Sequence, residues 1–111
     1  MGLSTVMIKS DIYPVIFKKM RDHEGEEYFV IKPVDVDAVS QGYGWDDALY
    51  MARDLLCNLK MTYKDHGDFF PSPSKSVNRL LQRNENLVWV KLDYDRWLDE
   101  VEELKPEEEE E

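Results

Sequence analysis

Residues 13–56 constrain the fold more than any other part of the chain. An apolar block at residues 13–17 is followed by a polar segment at residues 22–27 and by a second apolar block at residues 28–31. Two apolar blocks joined by a short polar turn that contains Gly25 predict an antiparallel hairpin, with strands over residues 13–19 and 27–32. Pro33 ends the second strand. Pro14 lacks a backbone donor, which places it at a strand start or on an edge.

A third extended segment follows the hairpin. Val34, Val36 and Ala38 alternate with Asp35 and Asp37. This alternation indicates either a half-buried strand or an extended loop over residues 34–40.

Residues 45–63 form the clearest helical pattern. Gly44 is placed to cap the helix, and Asp46 and Asp47 stand in the first turn, where negative charge favours the helix dipole. We expect the helix to pack on one face of the sheet and to bury Ala48, Leu55 and Leu59. Its apolar residues recur at three- and four-residue spacing, namely Ala48, Met51, Ala52, Leu55, Leu56 and Leu59.

The last part of the chain combines a stiff connector with a strand and a helix. Pro71 and Pro73 disfavour helix just before them, and Ser74 or Ser76 could cap a short helix through residues 77–81. Residues 87–92 predict a fourth strand. Asp93 is a good cap for a final helix over residues 94–104. The predicted class is α+β, an antiparallel β-β-β-α-β sheet packed on one main helix, with a short C-terminal helix.

Sheet edges and an apolar stripe predict self-association. A sheet of about four strands has edges that must be paired or covered. The stripe Trp97, Leu98 and Val101 is large for a terminal helix left in solvent. We therefore expect a homodimer or larger homo-oligomer, with these three residues at the interface.

The chain has the size of one domain and a strongly uneven charge. It has 111 residues and a net charge of −10, with nine acidic residues and one lysine after position 98 and a net charge of −2 before it. No apolar run approaches the ~18 residues of a membrane span, and no signal-peptide pattern is visible, so a cytoplasmic location is expected. The single cysteine, Cys57, lies in the helical pattern and is interpreted as a buried apolar residue.

The acidic C-terminal end is a candidate binding element. Five like charges in a row favour a disordered tail, residues 106–111, after a domain of residues 1–105. Such a tail either only solubilises the chain, or attracts a basic partner, or mimics an RNA backbone. The residues concerned are Glu107, Glu108, Glu109, Glu110 and Glu111.

Six short segments follow one another in an order typical of a known family. They read Tyr-Pro-Val-Ile-Phe (13–17), Tyr-Phe-Val (28–30), Ser-Gln-Gly (40–42), Asp-Ala-Leu (47–49), Phe-Pro-Ser-Pro-Ser (70–74) and Val-Trp-Val-Lys-Leu-Asp (88–93). Together they resemble the HicB family, the antitoxin half of HicA/HicB toxin–antitoxin pairs. The resemblance implies a truncated RNase H-like fold. It also implies a protein that binds a small basic HicA-type mRNA-cleaving toxin and occludes its active site.

The chain departs from that family after the fourth strand. Many HicB proteins carry a C-terminal DNA-binding segment, whereas here about 18 mostly acidic residues follow the strand, which makes DNA binding doubtful. The alternative interpretation is an orphan HicB-like protein, for example one encoded by a phage, that binds nucleic acid or another protein.

No catalytic constellation stands out, so the chain is interpreted as a non-enzyme without metal or cofactor. An RNase H-like sheet raises the question of a two-metal site, which needs converging carboxylates. The aspartates of such a site look instead like surface or capping residues, and His23 and His66 lie in polar turns. The three tryptophans form either a base-stacking platform or, more consistently with the lack of basic neighbours, core and interface. The aspartates considered are Asp11, Asp35, Asp37, Asp93 and Asp95, and the tryptophans are Trp45, Trp89 and Trp97.

Overall fold

The computed structural model of the chain describes residues 11–104, except for the side chains of residues 103 and 104. Four strands and two helices follow one another within this range, which confirms the predicted α+β class. The elements are β1 (Ile12–Arg21), β2 (Glu27–Pro33), β3 (Ser40–Gly42), α1 (Trp45–Asp65), β4 (Glu85–Lys91) and α2 (Tyr94–Leu104).

All four strands pair in one antiparallel sheet with the order β3-β2-β1-β4. β1 is central: Phe17 lies opposite Ile31 of β2 on one side and opposite Asn86 of β4 on the other. The predicted antiparallel sheet is thus confirmed, with β3 and β4 as its two edges within the described residues.

The turn between β1 and β2 is built by one aspartate and one glycine. The carboxylate of Asp22 accepts hydrogen bonds of 2.9 Å from the backbone N–H groups of Glu24 and Glu26. These bonds, that of Glu26 first, lower the pKa of Asp22. Gly25 has φ +82°, a conformation that side-chain-bearing residues rarely adopt. The polar segment therefore closes the hairpin as the sequence predicts.

The core lies between the sheet and α1. Tyr13, Val15 and Phe17 alternate along β1 toward the helical layer. Pro14 and Ile16, on the other face of β1, are buried as well. The fully buried residues of α1 are Ala48, Ala52, Leu56 and Cys57. Leu59 packs partly against this core.

The expected burial of Leu55 needs a correction. Leu55 is only half-buried, and the next residue, Leu56, is fully buried in its place. One residue turns a helix by about 100°. The buried stripe is therefore centred on Ala48, Ala52 and Leu56, and Leu55 lies at its margin.

Close approach of α1 to the sheet explains the glycine of the Ser-Gln-Gly segment. A Cβ atom built on Gly42 would come within 2.8 Å of the Cα and N atoms of Ala48. No real Cβ tolerates such contacts with backbone, so only glycine fits at the end of β3. Its small neighbour Ala48 serves the same close packing.

The structure decides between the two alternatives for residues 34–40 and corrects the predicted short helix. Residues 34–37 form bends, and only residues 40–42 pair with β2, so the alternating apolar pattern belongs to an extended loop. The connector between α1 and β4 contains no helix over residues 77–81, and Leu80 is 94% exposed. Without an apolar surface to pack against, a helix of five residues is not stable.

Candidate functional site

The solvent-facing side of α2 carries an acidic stripe, defined by Asp95, Asp99 and Glu102. The three residues are spaced four and three apart, which places them on one face of the helix, and all three are exposed. The remaining described carboxylate of this helix, Glu100, is different, because it is paired with Arg96 and with Arg53. The acidic stripe is therefore left facing solvent.

The opposite side of α2 is fixed to the body of the protein. Trp97 is 3% exposed, and its Nε1 donates a 3.0 Å hydrogen bond to a carboxylate oxygen of Asp54. Arg53 on α1 reinforces the junction: its Nε donates to the carbonyl of Leu92 at 2.8 Å, and its guanidinium contacts Glu100 at 3.2 Å. The acidic stripe is thus presented on a rigid element.

This arrangement changes the interpretation of the predicted dimer interface. Trp97 belongs to the core of its own chain, and Leu98 and Val101 are half-buried against that core. The stripe that was expected to be left in solvent is thus largely covered within one chain. Self-association itself stays a prediction.

The tail residues Glu107, Glu108, Glu109, Glu110 and Glu111 lie outside the described residues. In the sequence they follow α2 after Lys105 and Pro106. The predicted partner-binding tail is therefore continuous along the chain with the helix that carries the acidic stripe.

A second surface feature is an open groove with a volume of about 1190 Å³. It lies between the connector after α1, the ends of β1 and β4, and the start of α2. The connector is held there by Tyr13, whose hydroxyl donates a 2.7 Å hydrogen bond to the carbonyl of Pro71. Phe70 packs against the rings of Tyr13 and Tyr63, with centroid separations of 5.6 and 5.2 Å.

Lysines and aromatic rings meet in this groove. The ammonium groups of Lys60 and Lys64 lie 4.8 and 5.2 Å from the ring centroid of Tyr94, within cation–π distance. Trp89 is 44% exposed at the groove. Four lysines line the groove, and four aspartates balance them to a formal charge of zero. They are Lys60, Lys64, Lys75 and Lys91, with Asp11, Asp68, Asp93 and Asp95.

Two of the aspartates considered for a metal site accept hydrogen bonds from other parts of the fold. The carboxylate of Asp35 accepts hydrogen bonds from the backbone N–H of Ser74, at 2.8 Å, and from its hydroxyl. Asp11 accepts the N–H of Asp93 at 3.0 Å. Among the residues that the structure describes, no three His, Cys, Asp or Glu side chains are grouped as metal ligands.

The remaining candidate side chains are those of the two histidines and the cysteine. His23 is exposed in the hairpin turn, and His66 caps the C-terminal end of α1, with Nδ1 2.8 Å from the carbonyl of Thr62. Cys57 is fully buried, which confirms its predicted place, and burial raises the pKa of its thiol to about 12. A thiol with such a pKa is protonated at neutral pH and is not a nucleophile.

The tryptophans occupy three separate places. Trp45 packs on Phe17 and Phe29 with centroid separations of 5.3 and 5.5 Å, Trp89 lines the groove, and Trp97 lies in the core. They do not form one platform. The sequence did not reveal the lysines around Trp89, because they come from α1, the connector and β4, which only the fold brings together.

Comparison with protein-family models, with curated proteins and with solved structures finds no match to this chain. Within residues 11–104, neither helix is long and apolar enough to cross a membrane.

Proposed function

We propose that the chain is a HicB-like antitoxin that binds and neutralises a small basic HicA-type mRNA-cleaving toxin. The order β-β-β-α-β and the contact between Gly42 and Ala48 support a HicB-like arrangement. The observation that carries the functional proposal is the acidic stripe of Asp95, Asp99 and Glu102, which leads along the chain toward five further glutamates.

The proposed mechanism is occlusion by charge and shape. A toxin that cleaves RNA needs a basic surface for the phosphate backbone. Carboxylates spaced along one helix face can occupy that surface in place of phosphates. Because Trp97 and Arg53 hold α2 in place, little backbone freedom of the helix is lost on binding. Opposite net charges also accelerate encounter of the two proteins.

Affinity capture tests the proposal. The probe is the product of an adjacent reading frame of about 60–90 residues with a basic net charge, co-expressed with the tagged chain. The wild-type chain is expected to retain this toxin through washing. The triple variant Asp95→Lys, Asp99→Lys, Glu102→Lys is expected to lose it.

The matched control changes the same number of charges elsewhere. Glu24, Asp37 and Asp65 are exposed carboxylates outside α2, and their triple replacement by lysine alters the net charge equally. This control is expected to retain the toxin. Equal loss with both triple variants would show that only net charge matters, and retention by the α2 variant would refute the role of the acidic stripe.

The groove favours a second candidate, binding of single-stranded nucleic acid. An exposed Trp89 that lines the same groove as Lys75 and Lys91 offers stacking together with phosphate contacts. The balancing aspartates make this the weaker candidate. Fluorescence anisotropy with a labelled oligonucleotide tests it: Trp89→Ala should weaken binding at physiological salt, and absence of binding by the wild-type chain would exclude it.

A further inference from the structure

Among the described residues, β4 is an edge strand of the sheet. It has seven residues and pairs with β1 on one side, while no strand of the described residues pairs with its other side. The opposite sheet edge, β3, has only three residues. Natural edges are commonly blunted by proline, by a bulge or by central charges. β4 contains no proline, and its charges, Glu85 and Lys91, stand at its two ends.

The sequence of β4 is complementary to itself when one copy is rotated by 180° about an axis perpendicular to the sheet. Full antiparallel overlap places Val88 opposite the partner's Val88. Glu85 then lies opposite the partner's Lys91, and Leu87 opposite the partner's Trp89. Each of the last two contacts occurs twice, as in every two-fold interface.

The side chains that this register places opposite each other lie on the same face of the sheet. Glu85, Leu87, Trp89 and Lys91 pair with Lys18, Ile16, Pro14 and Ile12 of β1, on the sheet face away from α1. Directly opposite residues in an antiparallel pair lie on the same face. The charged and apolar contacts therefore form on the sheet face away from α1, and the Val88 pair forms on the face that packs against α1.

We infer that two copies of this chain pair through β4 into one continuous eight-stranded antiparallel sheet, with Glu85 facing the partner's Lys91. Lys91 and Trp89 are exposed in the single chain and line the groove. In the dimer the partner's Glu85 and the partner's Leu87 lie beside them, so the second copy completes one wall of the groove.

The carboxylate of Glu85 is already bonded within its own chain and its side chain is only 8% exposed, so the partner's Lys91 would join an existing ion pair. The Glu85 carboxylate accepts the N–H of Gln82 at 2.9 Å and pairs with Arg79 at 3.0 Å. These partners, the N–H of Gln82 first, lower the pKa of Glu85 and keep it ionised. The inference is independent of the proposed toxin, because it uses only the sheet edge and a second copy of the chain.

Cysteine crosslinking tests the register. In Val88→Cys the two introduced thiols face each other at antiparallel-pair distance, about 4.5–5.5 Å between Cα atoms, which permits a disulfide. Mild oxidation of the full-length variant at tens of micromolar is expected to convert most of it to a covalent dimer. Cys57 does not interfere, because it is fully buried.

Neighbouring positions provide the control. Trp89→Cys and Leu87→Cys each place a thiol opposite a residue that is not cysteine, so neither single variant is expected to crosslink efficiently. The double variant with both cysteines should crosslink, and it keeps the test valid if Val88→Cys fails to fold. Light scattering of the wild-type chain should give twice the monomer mass. A monomer in light scattering, or crosslinking that does not depend on position, would overturn the inference.

Discussion

The indole nitrogen of Trp97 donates a 3.0 Å hydrogen bond to the carboxylate of Asp54. This part-buried bond joins α2 to α1, whereas Asp95, Asp99 and Glu102 face solvent on the other side of α2. One short helix therefore has an apolar side that completes the fold and an acidic side that is free to bind.

The first prediction concerns this junction. Trp97→Ala removes a buried ring and its hydrogen bond, and we expect it to lower the free energy of unfolding by about 3–5 kcal/mol. Trp97→Phe keeps an aromatic ring and should lower the free energy of unfolding by a smaller amount. Urea unfolding followed by circular dichroism measures both values. The exposed Arg96→Ala serves as the control, with an expected change within about 0.5 kcal/mol; a similarly small effect of Trp97→Ala would contradict the packing of α2.

The second prediction compares two adjacent leucines of α1. Leu56 is fully buried and Leu55 is half-buried. Leu56→Ala should therefore destabilise the protein by about 2–5 kcal/mol, as cavity-forming core substitutions do. Leu55→Ala, at the margin of the core, should have a clearly smaller effect. Equal losses in urea unfolding, or a larger loss at Leu55, would mean that the face of α1 is wrongly assigned.

The third prediction concerns the thiol of Cys57. Burial raises its pKa from 9.0 to about 12, so the folded state keeps a proton that the unfolded state releases. The corresponding stability is present below pH 9 and decreases as the pH rises from 9 toward 12. In the native protein at pH 8 the thiol should not react with Ellman's reagent, and in denaturant it should react at once. Rapid reaction of the native thiol would show that Cys57 is accessible.

The fourth prediction concerns the acidic tail. Deleting residues 106–111 should leave the circular dichroism spectrum and the unfolding midpoint unchanged, because the described core lies within residues 11–104. Association with a basic toxin in stopped-flow measurements should slow at low ionic strength. The difference should shrink near physiological salt, where charges are screened over about 8 Å. Equal association rates at low salt would mean that the tail only solubilises the chain.

Most of the fold follows from local patterns in the sequence. Short apolar blocks, the Gly25 turn and three- to four-residue spacing place β1, β2, α1 and α2 within a few residues of their observed ends. By contrast, the register of the strands and the identity of the edge strands depend on the whole sheet. The pattern of Val34, Val36 and Ala38 left a strand and an extended loop open, and only the fold shows that the chain bends after Pro33 and that Asp35 bonds to Ser74.

The candidate surfaces were harder to predict, for a physical reason. The apolar stripe of α2 was visible in the sequence, but only the fold reveals that Trp97 packs inside its own chain. The groove unites Lys60, Lys91 and Trp89 from segments far apart along the chain. Contacts between distant segments have no local pattern, whereas the acidic stripe, which lies within one helix, can be derived from spacing alone.

Inhibition of RNA cleavage tests the central claim most directly. Purified toxin from the adjacent reading frame is incubated with a labelled mRNA fragment, and the chain is added in increasing amounts. We expect cleavage to stop near equimolar amounts of wild-type chain and of the control with Glu24, Asp37 and Asp65 replaced. The variant with Asp95, Asp99 and Glu102 replaced by lysine should require a large excess. Undiminished cleavage in the presence of excess wild-type chain would contradict the account.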